Sequence, residues 1–415
     1  MFVRDGVSHR QQVLLGMIVV LFAALPGIAQ MATTRTIEEL KVETQRRVDK
    51  NLSPVGGLKS EDAREALANI HSLDRDEWAA AWSAIGDRYA KRAKSEEASS
   101  DNKAAQADYQ LAFRYYTVAR WPVPNSPGKE KAYQNALATF RNYARFLDPP
   151  VEVVRIPFEG KEMVVYLRLP KSTRPVPVVL LINGVDSRKE DLIQGDASLL
   201  RSGIGLVAVD MPGTGEAPIK ADVGAERMFS RVLDFLGTRR DVDAKRVVAW
   251  GVSWGGHWAA HLAYIERARL LGTVVQGSPV DVFFTREWQE KSLGTREYLF
   301  DLFAARSAVY GVKTLDQFLA YGPRLSLKQQ GILDGPSAPM LLVNGEKNTQ
   351  NPISDLYLLL QSGGSPKLAW VNPEGGHTGR SEEWPNSRIS EEIVIPWIKV
   401  QLQSASETSH ANSSD

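Results

Sequence analysis

The run Arg246-Val-Val-Ala-Trp-Gly-Val-Ser-Trp-Gly-Gly256 constrains this chain more than any other stretch. Val247 to Trp250 reads as a buried strand, Gly251-Val252-Ser253-Trp254-Gly255 fits G-x-S-x-G, and His257 to Tyr264 is helix-forming sequence. Strand, sharp turn at the serine, then helix is the context of a nucleophile elbow. Side chains at Gly251 and Gly255 would collide with the neighbouring strand and helix, which is why such a turn needs glycine. The turn lifts the Ser253 hydroxyl above the sheet. It also aims the Trp254 backbone N–H, at the helix start, toward an incoming carbonyl oxygen.

A serine needs a general base within hydrogen-bond reach. The chain has six histidines. His9 falls in a leader, His410 in the C-terminal tail and His71 in a helical stretch. His257 and His261 follow Ser253 on its own helix, where their side chains run away from the turn and serve packing. His377 remains, in the glycine-rich loop Asn372-Pro-Glu-Gly-Gly-His-Thr-Gly-Arg380 after the last predicted strand.

The third member of a triad is harder to place. The loop Val343-Asn-Gly-Glu-Lys-Asn-Thr-Gln-Asn-Pro352 usually carries an aspartate, and the matching residue is Asn348. The strand after the elbow, another source of the acid, ends in Gln276, again an amide. An amide orients an imidazole but does not stabilise imidazolium, a loss of about 10⁴-fold in a serine protease. Three readings stay open: a carboxylate from a shifted position, Glu346 ahead of Asp281; Asn348 as an orienting group; or a much weakened enzyme. Glu287 and Asp355 read as surface or lid charges. For the oxyanion hole, Trp254 N–H is one donor and Val185 N–H, in Asn183-Gly-Val-Asp-Ser-Arg-Lys-Glu190, is the expected second, with Gly184 permitting close approach. Asp186 in that loop is suited to capping the next helix. Asp210-Met-Pro-Gly-Thr-Gly215 lacks the Gly-Lys-Ser/Thr ending of a phosphate loop and reads as a turn beneath the site.

Around this core the periodicity changes once. Residues 30–148 are helical in pattern, with aromatic stripes such as Trp78, Trp82, Ile85 and Tyr89, capped by Asp74, and Tyr133, Ala136, Phe140 and Tyr143. Packing between antiparallel helices explains these stripes better than a cofactor. Lys94 to Asn102 reads as a loop. From 149 to 403 short apolar strands alternate with helices behind an antiparallel hairpin at Glu159-Gly160. That order predicts an α/β fold with a mostly parallel sheet and helices on both faces. An aromatic helical excursion over 280–334 is expected to act as a lid, with Phe284 and Trp288 touching substrate. Residues 404–415 read as a disordered tail.

The 50 Lys and Arg nearly cancel 49 Asp and Glu, so no nucleic-acid partner is expected. Arg4 and Arg10, the apolar Val13 to Leu25 and the small Gly27-Ile28-Ala29 read as a signal peptide over 1–29, giving an exported, periplasmic or secreted protein without stable membrane insertion. There is no cysteine. No metal or cofactor is implied, and the expected partners are a small-molecule ester and at most a second copy in a homodimer.

Together, Asn183 to Glu190, Asp210-Met-Pro-Gly-Thr-Gly-Glu216, Gly251 to Gly256 and Gly375-Gly-His-Thr-Gly-Arg380 make the chain resemble the FrsA-like esterases of the α/β-hydrolase fold. The resemblance implies Ser253 as nucleophile and His377 as base, and departs at Asn348, where the family has Asp. Within that group the exported form is most similar to bacterial carboxylesterases that de-esterify sulfonylurea herbicides. That implies a small methyl or ethyl ester of an aromatic acid. The rival expectations are a C–C bond hydrolase acting on β-diketone-like substrates and a binding protein that kept the scaffold.

Overall fold

Local signals start the chain's helices. Thr36 and Glu39 form a reciprocal capping box at the head of α1 (Ile37–Asp49). The Asp74 carboxylate accepts from the Asp76 and Glu77 N–H groups at the head of α3 (Arg75–Ala98). Each such cap contributes about 1 kcal/mol. With α2 (Ser60–Ala68), α4 (Asn102–Ala119) and α5 (Pro127–Ala144) they make a helical layer. The computed structural model describes residues 35–195 and 197–411, with 404–411 described by backbone alone. The leader expected over 1–29 lies outside the described residues.

Two expectations are corrected here. The stretch from Lys94 is not a loop at first, because α3 continues to Ala98. Its Lys, Glu and Ala are good helix formers, Ala93 is fully buried, and Glu97 is held by the Tyr109 hydroxyl at 2.8 Å. The tail is likewise helical in its first part, since α15 (Ile395–Ala411) runs past Gln403. Buried Ile395, Ile398 and Leu402 nucleate that helix, and propagation beyond them costs little.

After the helical layer come β1 (Glu152–Phe158), β2 (Lys161–Arg168), β3 (Val176–Ile182), β4 (Gly205–Val209), β5 (Val242–Val252), β6 (Gly272–Gln276), β7 (Met340–Gly345) and β8 (Lys367–Asn372). They form one sheet in the order β1-β2-β4-β3-β5-β6-β7-β8. β1–β2 and β2–β4 pair antiparallel and the remaining pairs are parallel. The central strands are buried on both faces, which explains their continuous Val and Leu runs. Val179 and Leu181 face the helical layer, α7 (Ala197–Arg201, preceded by α6, Lys189–Ile193) and α15. Phe140 of α5 stacks on Tyr166 of β2 across that interface at 5.4 Å. Val178, Leu180 and Ile182 point the other way, toward α8 (Arg227–Thr238) and α9 (Trp254–Ile265). Between β6 and β7 lie α10 (Arg286–Leu293), α11 (Leu302–Tyr310) and α12 (Leu315–Tyr321), and α13 (Ile353–Gln361) and α14 (Asn386–Ile389) complete the set.

His257 and His261 are packing residues of α9, 1% and 3% exposed. His257 lies against Trp258 and Phe284, with Nδ1 3.2 Å from the Pro279 carbonyl. Burial, with His261 adding repulsion, pushes His257 down to about 3, and burial pushes His261 down to about 4. Because both values lie below the unfolded one, their stabilisation is present above pH 6.5 and lost as pH falls through the folded values. The slope is about 1.4 kcal/mol per pH unit for each. Chemical denaturation of His257→Asn/His261→Gln between pH 6.5 and 4.5 is therefore expected to show a shallower loss of stability on acidification than the parent. Equal slopes would contradict this.

Candidate active site

Ser253 is placed by the end of β5 and the head of α9. Its backbone is at φ 56°, ψ −124°, a conformation that favours glycine. The turn is closed by Ser253 N–H donating to the Gln276 carbonyl at 2.7 Å and Gly256 N–H to the Ser253 carbonyl at 2.8 Å. Side-chain-free flanks are required: a Cβ at Gly251 would stand 2.0 Å from the Gly255 carbonyl oxygen, and one at Gly255 2.2 Å from that of Ile182. The loop after β3 presses against the serine as well, since a Cβ at Gly184 would be 3.2 Å from the Ser253 Cβ.

His377 reaches this point from the loop after β8. Its Nε2 lies 2.9 Å from Ser253 Oγ. Thr378, next in sequence, is held at φ 64°. Its carbonyl accepts from Gln276 Nε2 at 3.1 Å, so the strand after the elbow ties down the histidine loop. Burial first, then the nearby guanidinium groups of Arg380 and Arg306, hold His377 well below the usual histidine range. Arg380 also donates from Nε to the His377 carbonyl at 3.1 Å. If His377 acts as a base, the neutral form it needs persists below pH 6.5. Replacing Arg380 by Gln removes positive charge, stabilises imidazolium and raises the pKa. The acid limb of kcat/KM for Arg380→Gln is thus expected at higher pH than the parent's, read from a pH–rate profile; an unmoved limb would contradict it.

The structure does not bring an acid to the other side of the ring. His377 Nδ1 is buried and has no hydrogen-bond partner among the described residues. Glu346, the preferred sequence candidate, is exposed and its carboxylate accepts from Tyr357 Oη at 3.2 Å, over α13. It follows the last residue of β7 and is turned outward. Asp281 accepts from Ser326 Oγ instead. The amides at the two usual acid positions are engaged too. Asn348 Oδ1 accepts from the Gln350 and Asn351 N–H groups at 2.8 and 3.0 Å, and its Nδ2 donates to Asn344 Oδ1 at 2.7 Å. Gln276 Oε1 accepts from Trp250 Nε1 at 3.2 Å. Asp355 is not a surface charge. It is fully buried and accepts from the N–H groups of Val280, Asp281, Val282 and Phe283, pinning the start of the helical excursion. Burial nonetheless lifts its pKa to about 6. Glu287 is exposed, as expected.

Ser253 and His377 open on a cavity of about 400 Å³. Its aromatic lining is Trp121, Tyr298 and Trp250, and its charged lining includes Arg47, Asp186, Glu297 and Arg380. Phe284 and Trp288 are not part of it. Phe284 is fully buried edge-on to Trp254, and Trp288 donates from Nε1 to the Gln350 carbonyl, because they pack the excursion against α9 and the loop after β7. Sequence reasoning missed Trp121, Tyr298 and Asp186 as wall residues. Trp121 comes from the end of α4 and Tyr298 from the excursion, far from the motifs in the chain. Asp186 does not cap α6; that carboxylate is Asp191, which accepts from Arg188 N–H at 2.8 Å.

The two expected oxyanion donors are placed where they are free. Among the described residues neither Trp254 N–H nor Val185 N–H donates to a protein acceptor, whereas Gly184 N–H is taken by Ser187 Oγ at 3.1 Å. Trp254 N–H lies at the start of α9, where helix geometry leaves it without an internal partner. The arrangement can thus supply a hydroxyl, an adjacent neutral imidazole and two backbone donors to a carbonyl compound.

The family model described as Esterase FrsA-like matches residues 56–375. Esterase FrsA of Photobacterium profundum is 25% identical over 343 residues, covering 81% of this chain and 80% of that protein. Esterase FrsA of Vibrio cholerae is 27% identical over 339 residues, covering 75% and 79%. The crystal structure of a 2,6-dihydroxy-pseudo-oxynicotine hydrolase superposes with a TM-score of 0.71 at 20% identity, covering 86% of this chain and 96% of that one. That likeness concerns the fold.

Proposed function

The chain belongs to the FrsA-like esterase family, a group of α/β-hydrolases, and from that premise we propose an exported serine carboxylesterase that works through an acyl-enzyme with a Ser253–His377 dyad. The observation that carries this reading is the 2.9 Å approach of His377 Nε2 to Ser253 Oγ at the floor of the cavity. Ser253 Oγ attacks the ester carbonyl carbon while its proton passes to His377 Nε2. The oxyanion is held by the N–H groups of Trp254 and Val185. His377 then protonates the departing alcohol, and water, activated by the same imidazole, releases the acid. With no carboxylate at Nδ1 among the described residues, imidazolium is stabilised less than in a triad, so turnover is slow for the fold. Strain at Ser253 and helix-start polarity at Trp254 support the remaining steps.

The aromatic walls Trp121, Tyr298 and Trp250 support a small ester of an aromatic acid as substrate, since ring faces in such a space favour offset stacking. Covering of the site by the excursion is supported by Glu297 and Tyr298, which line the cavity. Export rests on the sequence of residues 1–29. The test is pre-steady-state hydrolysis of p-nitrophenyl acetate and benzoate. A burst of nitrophenolate equal to the enzyme concentration, followed by slow turnover, is expected. Cleavage confined to β-diketones would favour the C–C hydrolase reading, which uses the same pair of residues, and would contradict the esterase.

A further inference from the structure

We propose that Arg120 and Trp121, at the end of α4, are positioning residues that hold the oxyanion loop in register with Ser253, so that the helical layer is a working part of the site. This rests on the serine reading above.

The loop from Asn183 to Arg188 has its carbonyl groups fixed one after another. Asn183 Nδ2 donates to the Gly184 and Ser187 carbonyls at 2.8 and 2.7 Å. Arg188 Nη1 donates to the Val185 and Ser187 carbonyls at 3.0 and 2.6 Å. Both clamps lie within the loop itself. The Asp186 carbonyl is held from outside, by Arg120 Nη1 at 2.6 Å, across 66 residues of sequence. The Asp186 carboxylate is held by the neighbouring residue, Trp121 Nε1, at 3.1 Å. Trp121 is in turn backed by Tyr298 and Phe300 of the excursion, with ring centres 5.2 and 5.4 Å away. The two peptide groups flanking Val185 are thus held by the loop's own clamps, and Arg120 and Trp121, gripping the carbonyl and carboxylate of the next residue, fix that clamped unit to the end of α4. Val185 N–H, which has no protein acceptor among the described residues, stays pointed.

Arg120 is an expensive way to glue two layers together. It is 2% exposed, its other contacts are the Pro122 carbonyl at 3.2 Å and the Asp191 carboxylate at 3.5 Å, and a second guanidinium, Arg188, lies close enough to repel it. A packed apolar side chain commonly serves stability as well as such a buried ion. A directed donor on one particular carbonyl is what an apolar side chain cannot supply.

The test uses the full-length protein and its variants Arg120→Met, Arg120→Lys and Trp121→Phe. The last removes the N–H while leaving an aromatic ring against Tyr298 and Phe300, and it tests the loop contact without touching the buried arginine. Active sites are titrated with a fluorophosphonate so that kcat is expressed per competent site. Each protein is then measured for kcat, KM and affinity for an aryl trifluoromethyl ketone. Ser253 Oγ adds to the ketone carbon as its proton passes to His377, giving a hemiketal oxyanion in the hole. For Arg120→Met, kcat is expected to fall by about 10²-fold with KM little changed, the cost of displacing a donor by about 1 Å. The ketone's affinity falls in parallel, and Trp121→Phe, which also changes the cavity wall and hence KM, shows a smaller fall in kcat per site. A merely structural role would lower the melting temperature and the titrated fraction while leaving kcat per site and ketone affinity unchanged; that result overturns the proposal. A parent protein that takes neither fluorophosphonate nor ketone contradicts the serine reading itself.

Discussion

Ser253→Ala is expected to lower ester turnover at saturating substrate by about 10⁴-fold or more, since among the described residues Ser253 supplies the hydroxyl that His377 Nε2 reaches. On the proposed mechanism Ser253 and His377 act as a unit, so His377→Gln is expected to fall to a similar floor. The double variant then loses little more than either single one. A pair of variants whose losses multiplied would contradict a shared proton transfer. The same position also stores backbone strain at φ 56°, ψ −124°. Ser253→Gly is therefore expected to be as inactive as the alanine variant yet more stable than the parent by about 1 kcal/mol, read by chemical denaturation. A glycine variant less stable than the parent would show that the turn is not strained.

Asn348→Asp is expected to act in the opposite direction and raise kcat by about 10²-fold, recovering part of the ~10⁴-fold that a triad acid contributes. Asn348 lies in the loop after β7 where the sequence resemblance places the acid, and its Oδ1 already accepts from two backbone N–H groups that would keep a carboxylate ionised. The second oxygen would replace an amide nitrogen that now donates to Asn344 Oδ1. Two acceptors repel, so that oxygen is driven from Asn344, and the expected gain follows if it turns to His377 Nδ1, which has no hydrogen-bond partner among the described residues. Gln276→Glu makes a control at the other acid position. There the new oxygen would face the Thr378 carbonyl that Gln276 Nε2 now holds. Loss of that bond loosens the histidine loop and costs about 1–3 kcal/mol of stability. A lower kcat and a lower melting temperature are expected. A rise in kcat for Gln276→Glu, or none for Asn348→Asp, would show that the acid position has been misassigned.

How much of this was legible in the sequence follows from how local each determinant is. The elbow was legible because strand, glycines and helix are contiguous, and the collisions expected at Gly251 and Gly255 are present. His377 emerged by elimination among six histidines. The hairpin at Glu159-Gly160 and the parallel strands followed from period-2 alternation and continuous apolar runs. What was not legible is non-local. Glu346 is next to the expected acid loop in sequence, but its side chain leaves β7 on the side of α13. Phe284 and Trp288 carried the composition of a substrate wall, yet they pack inward on Trp254 and the Gln350 loop. The wall is instead built by Trp121 and Tyr298, brought together across 177 residues of chain, 298 less 121. Asp355 reads from sequence as a surface or lid charge, because the four N–H groups it accepts from belong to residues 280–283, distant in the chain.

The most direct test of the account is covalent labelling of the folded protein with a fluorophosphonate, read by intact mass and peptide mapping. One adduct per chain on Ser253 is predicted, absent from Ser253→Ala and strongly slowed in His377→Gln. Folded, monodisperse protein that takes no label at Ser253, or takes it as fast without the histidine, would contradict the central claim that these two side chains form the reacting pair.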